Sequence, residues 1–495
     1  MAQDVKGKTI DASIKKSRKV LGDQLGIGTS FDVGRRTLSV LEHDVDLYFV
    51  NGLTDSEYTI EIIKKLVEIN DFESEKRKLA EIIKNRLMNH QVEEFKTYDD
   101  AINQLLAGLV VVTIDGEPFA LVVDVRNYPG RGPEEPDTEK VVRGARDGFT
   151  ENIIENAGLT RRRVRDERLR MEIMRVGERS KTDVSVAYLK DIADPGLVEV
   201  IKKEIKKINV DGMAMSDKTL EEFLVSQSIN PFPLVRYTER PDVASAHLFE
   251  GHVLIYVDTS PSVMITPTTF FHHVQHAEES RQVPSVGTFI RWVRFFGVIL
   301  SIFLLPLWVL FATHPEYLPP DLSFIGLKEE GNLPIIVQVL LADIGLEFMR
   351  IAAIHTPTAL STAMGLIAAV LIGEIAITVG LFSPEIILYV AISAIGTYST
   401  PSHELGVANK LARIMLVIAV SIWGATGFMV GVTLYLLHLV RTISLNTPYF
   451  WPLIPFNGRA LWHVFIRMTV PHQRFRPSIV HPQSATRMPK GENTK

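Results

Sequence analysis

The 495-residue sequence predicts an α/β soluble N-terminal region of two duplicated subdomains, followed by an α-helical polytopic membrane domain. Three observations carry this. The first 290 or so residues are polar and charge-rich, whereas Phe295 to Val440 is mostly apolar, in runs longer than a soluble core needs. A strand-turn-helix pattern occurs twice in the polar part. One apolar stretch, Ala359 to Leu381, is long enough to cross a bilayer and still carries a carboxylate, Glu374.

Composition narrows the function. The net charge of -5 is small and points to no particular charged partner. The absence of cysteine removes disulfides, cysteine-ligated zinc and thiol chemistry. The first twenty residues, MAQDVKGKTIDASIKKSRKV, lack the apolar core of a signal peptide, so membrane targeting is expected from later helices.

In chain order, residues 1–37 read as a basic, mobile segment, and Gly22, Gly26, Gly28 and Gly34 as turn glycines rather than a nucleotide loop. Val45 to Val50 reads as a strand, Asn51-Gly52 as a turn, and Tyr58 to Ile69 as a helix. The stretch Asp44 to Ile69 aligns without a gap on Asp183 to Ile208, repeating Asp44, Asp55, Ile62 and Lys64 as Asp183, Asp194, Ile201 and Lys203. Further on, Leu105 to Pro118 matches Leu248 to Pro261, repeating Gly108 and Asp115 as Gly251 and Asp258. The offsets, 139 and 143 residues, fit one duplication. Two related subdomains follow, over residues 38–130 and 178–275.

Between them, residues 131–177 form a charged connector. Its mixed signs argue against nucleic acid, which would want clustered basic residues with aromatics between them. Glu135, Glu139, Arg143, Arg146, Arg161 and Arg163 are a candidate cytosolic interface, because arginine pairs bidentately with carboxylates. The FHHVQH stretch, with His272, His273 and His276, has no further ligand at a metal spacing and reads as surface histidines. Neither a Walker loop, a GxSxG elbow nor HExxH occurs, so no enzyme, cofactor or metal is expected.

After a linker over residues 276–294, a membrane domain of about four spanning helices and one amphipathic helix is expected over residues 295–440, then a basic cytosolic tail over 441–495. The spans are Phe295 to Ala312, Ala359 to Leu381, Ile386 to Ser399 and a tilted Leu411 to Val440, with Trp308 near an interface. On the second span Ser361, Gly365, Ala369 and Gly373 recur every fourth residue beside Glu374, a face for close helix packing or a pore. Gly427 and Gly431 make a similar face on the last span. Asp343, Glu347 and Arg350 fall on one side of Pro334 to Arg350, which reads as an amphipathic, non-spanning helix. Basic residues before the first span and in the tail put both soluble parts on the cytosolic side, with an even number of crossings.

Several long motifs resemble the A-subunit family of bacterial spore germination proteins. They are LYFVNGL, EPDTEKVVRGARDGFTENIIEN followed by RRRV, YTERPD, the strand ending at Pro261, LPIIVQVLLADIGLEFMR, PSHELG and TPYFWPLIPF. One departure is Ala145, where many members have proline. The resemblance implies a spore inner membrane protein acting in germination, when the spore releases monovalent ions and dipicolinate. It also implies homo-oligomers embedded in membrane lipid that conduct ions beside other spore germination membrane proteins. The residues are compatible with a cation channel lined by the Glu374 helix. The competing readings are a non-conducting scaffold that assembles other germination proteins and, less favoured, a secondary transporter, for which no inverted membrane repeat is visible.

Overall fold

The computed structural model describes residues 7–72, 78–87, 92–127, 139, 141–225, 227–328, 332–355, 365, 367 and 370–487. The chain forms two compact units. The first comprises residues 1–226, 235–267 and 470–495, and the second residues 227–234 and 268–469.

The first unit holds two five-stranded antiparallel sheets. Strands β1 (Val33–Val40), β2 (His43–Val50), β3 (Val92–Phe95), β4 (Val110–Ile114) and β5 (Ala120–Val123) pair in the order β1-β2-β4-β5-β3. Strands β6 (Leu169–Val176), β7 (Thr182–Leu189), β8 (Arg236–Thr238), β9 (Val253–Val257) and β10 (Val263–Thr266) repeat that order as β6-β7-β9-β10-β8. The helices are α1 (Ile14–Leu25), α2 (Ser56–Phe72), α3 (Leu79–Arg86), α4 (Tyr98–Leu106), α5 (Ile153–Arg163), α6 (Pro195–Lys207), α7 (Ser216–Leu224) and α8 (Pro241–Glu250). The first sheet buries both faces. Val111 and Val122 enter one apolar cluster with α1 and α4, while Val110, Val112 and Leu121 enter another with α2 and α3. Alternation along a strand sends successive side chains to opposite faces, and here both are apolar, so the central strands lack the polar half of the usual pattern.

The repeated residues hold equivalent positions. Asp55 accepts from the backbone N–H of Glu57 at 2.8 Å and of Tyr58 at 3.1 Å, and Asp194 accepts from that of Gly196 at 2.9 Å. Both thereby satisfy orphan donors at a helix start. The backbone N–H of Asp115 donates to the Asp44 carbonyl at 2.9 Å, and that of Asp258 to the Asp183 carbonyl at 2.9 Å. Their carboxylates then receive the N–H of Ile14 at 3.1 Å and of Ile153 at 3.3 Å, at the starts of α1 and α5. Gly108 and Gly251 follow α4 and α8 with φ of 97° and 107°, a left-handed conformation that a side chain would strain.

Two boundaries differ from the sequence reading. The N-terminal stretch read as mobile is built into the first subdomain, where Ile10, Ile14, Leu21 and Leu25 are buried. The connector read as separate supplies α5 and β6 to the second subdomain. The tail also joins the first unit: Val480 is buried against Gly251, and the Gln483 amide donates to the carbonyls of Lys190 at 2.9 Å and Ala193 at 2.6 Å.

The second unit is helical. Its helices are α9 (Phe270–Val274), α10 (Ala277–Arg281), α11 (Pro284–Thr313), α12 (Ile335–His355), α13 (Pro384–Tyr398), α14 (His403–Arg441) and α15 (Gly458–Phe465). The expected linker is therefore mostly helix, and Arg291 and Arg294, rather than preceding the first apolar helix, lie inside it and pair with buried Glu279. His272 and His276 are not on one helix, because Gln275 is extended between α9 and α10, and His273 is buried rather than on the surface. Trp308 is also internal, stacked on Tyr389 and donating to the Ile325 carbonyl at 2.8 Å.

The single tilted span expected over Leu411 to Val440 is a helical hairpin. Within α14, Gly424 adopts φ 55° and ψ −134°, and a Cβ placed on Gly427 would lie 2.0 Å from the Ala419 carbonyl oxygen. Eight residues of straight helix span about 12 Å, so the chain has reversed at Gly424. Gly431 receives the Leu416 side chain one turn further along, so two antiparallel arms, residues 403–423 and 425–441, pack closely against each other.

Candidate functional site

The second unit encloses a charged cluster between α12, α13 and the first arm of α14. At its base, Arg413 Nη2 donates to Asp343 Oδ1 at 2.6 Å, with the two side chains 1% and 2% exposed. Arg413 Nη1 reaches the Ser301 carbonyl at 2.8 Å and Thr397 Oγ1 at 3.3 Å. A turn closer to the helix ends, Lys410 Nζ bonds Glu347 Oε2 at 2.9 Å and the Asp343 carbonyl at 3.0 Å. Arg350 completes the cluster, bonding Glu347 and the His403 ring. A cavity of about 150 Å³ opens among these groups, lined also by Thr397, Thr400 and Gly406.

Asp343, Glu347 and Arg350 therefore face protein partners on another helix, not an aqueous surface along α12. Sequence reading placed them on one side of a helix. It missed Lys410 and Arg413, which lie some sixty residues further along and whose only sequence signal is a charge at the start of an apolar run. Among the described residues, Arg413 Nε, Asp343 Oδ2, Ser393 Oγ and both amide atoms of Asn409 are buried without hydrogen-bond partners.

The glycines of this unit divide into two sets. Gly297 and Gly396 meet backbone to backbone: a Cβ on Gly396 would lie 2.4 Å from the Gly297 carbonyl oxygen. Gly427 and Gly431 close the α14 hairpin. By contrast, a Cβ on Gly345, Gly365 or Gly373 meets nothing within 4 Å among the described residues. Glu374 is exposed beside Gly373, in a π-helical turn, Leu371–Ile375. Ser361 and Ala369 lie outside the described residues.

In the first unit the candidate interface residues scatter. Arg143 and Arg146 are exposed, Arg163 pairs with Asp147 at 2.6 Å, and Glu139 accepts from Thr238 Oγ1 at 2.5 Å; Glu135 lies outside the described residues. Arg161 is 1% exposed and pairs at 2.8 Å with Asp32, which is equally buried, joining α5 to the turn before β1. Arg170 extends the same seam, donating to the Gln24 carbonyl at 2.9 Å at the C-terminal end of α1, where a cation suits the helix dipole. Gly26, a left-handed cap with φ 68°, leaves room for that guanidinium.

Residues 20–479 match the family described as Bacillus/Clostridium GerA spore germination protein. The chain belongs to this family. Within GerA, it is 59% identical over 474 residues to stage V sporulation protein AF of Bacillus subtilis (strain 168), covering 96% of each chain. It is 27% identical over 497 residues to spore germination protein KA of the same organism, covering 99% of this chain and 91% of that one. The crystal structure of the N-terminal domain of the A subunit of the Bacillus megaterium spore germinant receptor GerK3 compares at 24% identity and a TM-score of 0.41, covering 53% of this chain and 98% of that chain. Among the described residues of this GerA chain, Pro284–Thr313 is long and apolar enough to cross a membrane, and so is the stretch His403–Arg441 by length and composition, although it is folded into two arms at Gly424.

Proposed function

We propose that this chain is a subunit of an oligomeric, cation-permeable channel of the spore inner membrane that promotes monovalent ion release during germination. The observation that carries it is the face formed by Gly365 and Gly373 beside exposed Glu374. Glycine exposed on an apolar helix gives up helix propensity, and a carboxylate facing lipid is costly; both are relieved when a second copy covers the face and the carboxylates ring a water-filled path. The π-helical turn at Glu374 supports this, because such turns free backbone carbonyls and recur at functional sites.

In this reading the second unit spans the membrane with an even number of crossings, since the chain leaves the first unit at residue 268 and rejoins it at 470. Six crossings fit the helix ends: α11, α12, the segment ending at Gly380, α13 and the two arms of α14. Gly380 lies beside Asn332, before α12, while Arg350 near the end of α12 bonds His403 at the start of the first arm, so successive segments alternate in direction. The family's germination role and a relative named as an uncharacterized membrane protein, YfkQ of Bacillus subtilis (strain 168), agree with a membrane assignment.

The test is monovalent cation flux from liposomes holding equal amounts of full-length protein, Glu374→Gln or Gly365→Leu. Flux that Glu374→Gln reduces and Gly365→Leu abolishes supports the channel. Well-folded protein that conducts with or without these substitutions removes the path from this helix. Absence of flux, with other germination membrane proteins still captured through the first unit, favours a scaffold.

A further inference from the structure

The cavity beside Arg413 has an unbalanced charge. Among the described residues Arg350, Lys410 and Arg413 meet two carboxylates, Asp343 and Glu347; Arg413 holds Asp343 Oδ1 at the base, with Lys410 3.7 Å from the same oxygen, and Asp343 Oδ2 is left without a partner. His403, whose ring meets Arg350, adds no negative charge. The first arm of α14 begins at this cavity with Ser402 as its N-cap, and α13 ends there at Thr397 and Tyr398, so the two helix dipoles oppose each other and the side-chain charges decide the balance. Glu404 bonds Ser402 at 3.0 Å but is exposed and outside the lining.

An independent observation concerns unused polar atoms. Arg413, 1% exposed, lines the cavity with its Nε unpartnered among the described residues. Buried donors without acceptors each cost about 1–3 kcal/mol, and a surplus cation costs more, unless an anion or water occupies the space.

We propose that this cavity binds a small oxyanion, a phosphate or carboxylate group, either free or as the headgroup of an anionic lipid. Arg350 and Lys410 supply charge-assisted hydrogen bonds from the open side, Arg413 supplies the positive base, and Glu347 competes with the ligand for both outer cations. A cavity of about 150 Å³ has room for one such group.

The experiment is a calorimetric titration of full-length protein in neutral detergent with inorganic phosphate, repeated with soluble short-chain phosphatidylglycerol and phosphatidylcholine. Saturable binding of phosphate or phosphatidylglycerol is expected, weakened at least about tenfold in Lys410→Gln and Arg350→Gln. The isosteric Glu347→Gln, which removes the competing carboxylate, is expected to tighten it. Phosphatidylglycerol that displaces phosphate where phosphatidylcholine does not identifies a lipid headgroup as the occupant; phosphate that is not displaced identifies a free anion. Lack of saturable binding of either probe overturns the proposal, as does binding that Glu347→Gln weakens or that none of the three substitutions alters. Cation flux is not part of this readout, so failure here leaves the channel reading standing.

Discussion

The two sets of glycines in the second unit differ in what covers them. Gly297, Gly396, Gly427 and Gly431 are filled from within the chain, two of them so tightly that an added Cβ would meet a carbonyl oxygen at 2.4 Å or less. Gly345, Gly365 and Gly373 have no such neighbour among the described residues. The first set lets apolar helices approach backbone to backbone. The second set has the same residue type with no neighbour among the described residues, and in the proposed channel it is the surface where a second copy is expected.

The contrast can be broken in four places, from the largest expected effect to the smallest. Arg413→Met leaves Asp343 buried without its partner and should lower stability by about 3–5 kcal/mol, read as denaturant unfolding in detergent. Combining it with Asp343→Leu should recover part of that loss. Next, Gly427→Leu must part the α14 arms and should cost about 3 kcal/mol or more, with Gly396→Leu similar. A mild effect of either would mean that the filled set is not tightly packed.

Acid is expected to act on the first unit through two buried histidines. Burial holds the His247 ring well below the usual imidazole range, the neighbouring His252 adding to the shift, and lowers His252 to about 4. The folded state keeps both rings neutral, while the unfolded chain binds a proton on each below about pH 6.5. Stability should therefore fall between about 6.5 and 4, by about 1.4 kcal/mol per pH unit for each histidine. Burial raises the Glu250 carboxyl, which titrates in the opposite sense and offsets part of the loss. The smallest effect on the isolated subunit belongs to Gly365→Leu, within about 1 kcal/mol and towards greater helix stability, while oligomers seen by mass photometry should dissociate.

Legibility differed between the two halves for a physical reason. In the first unit Asp55 and Asp194 cap the helices that follow them, and Gly108 and Gly251 turn the chain, local jobs from which the duplication could be read. In the helical half the decisive partners are distant. The reversal at Gly424 sits inside continuous apolar sequence, Trp423 to Ala425, with no polar turn residue to mark it. Asp343 could be placed on a helix face, but nothing near it announces Arg413. Glu374 and its small neighbours were visible because their spacing is local, and what covers them is a question for a second chain.

Because the protein has no cysteine, single cysteines report on that question directly. Gly373→Cys, oxidised in membranes, should yield a covalent dimer in high proportion, whereas Gly326→Cys in the loop before α12 should not. A folded Gly373→Cys protein that stays monomeric under the same oxidation would contradict the assembly of copies through this face.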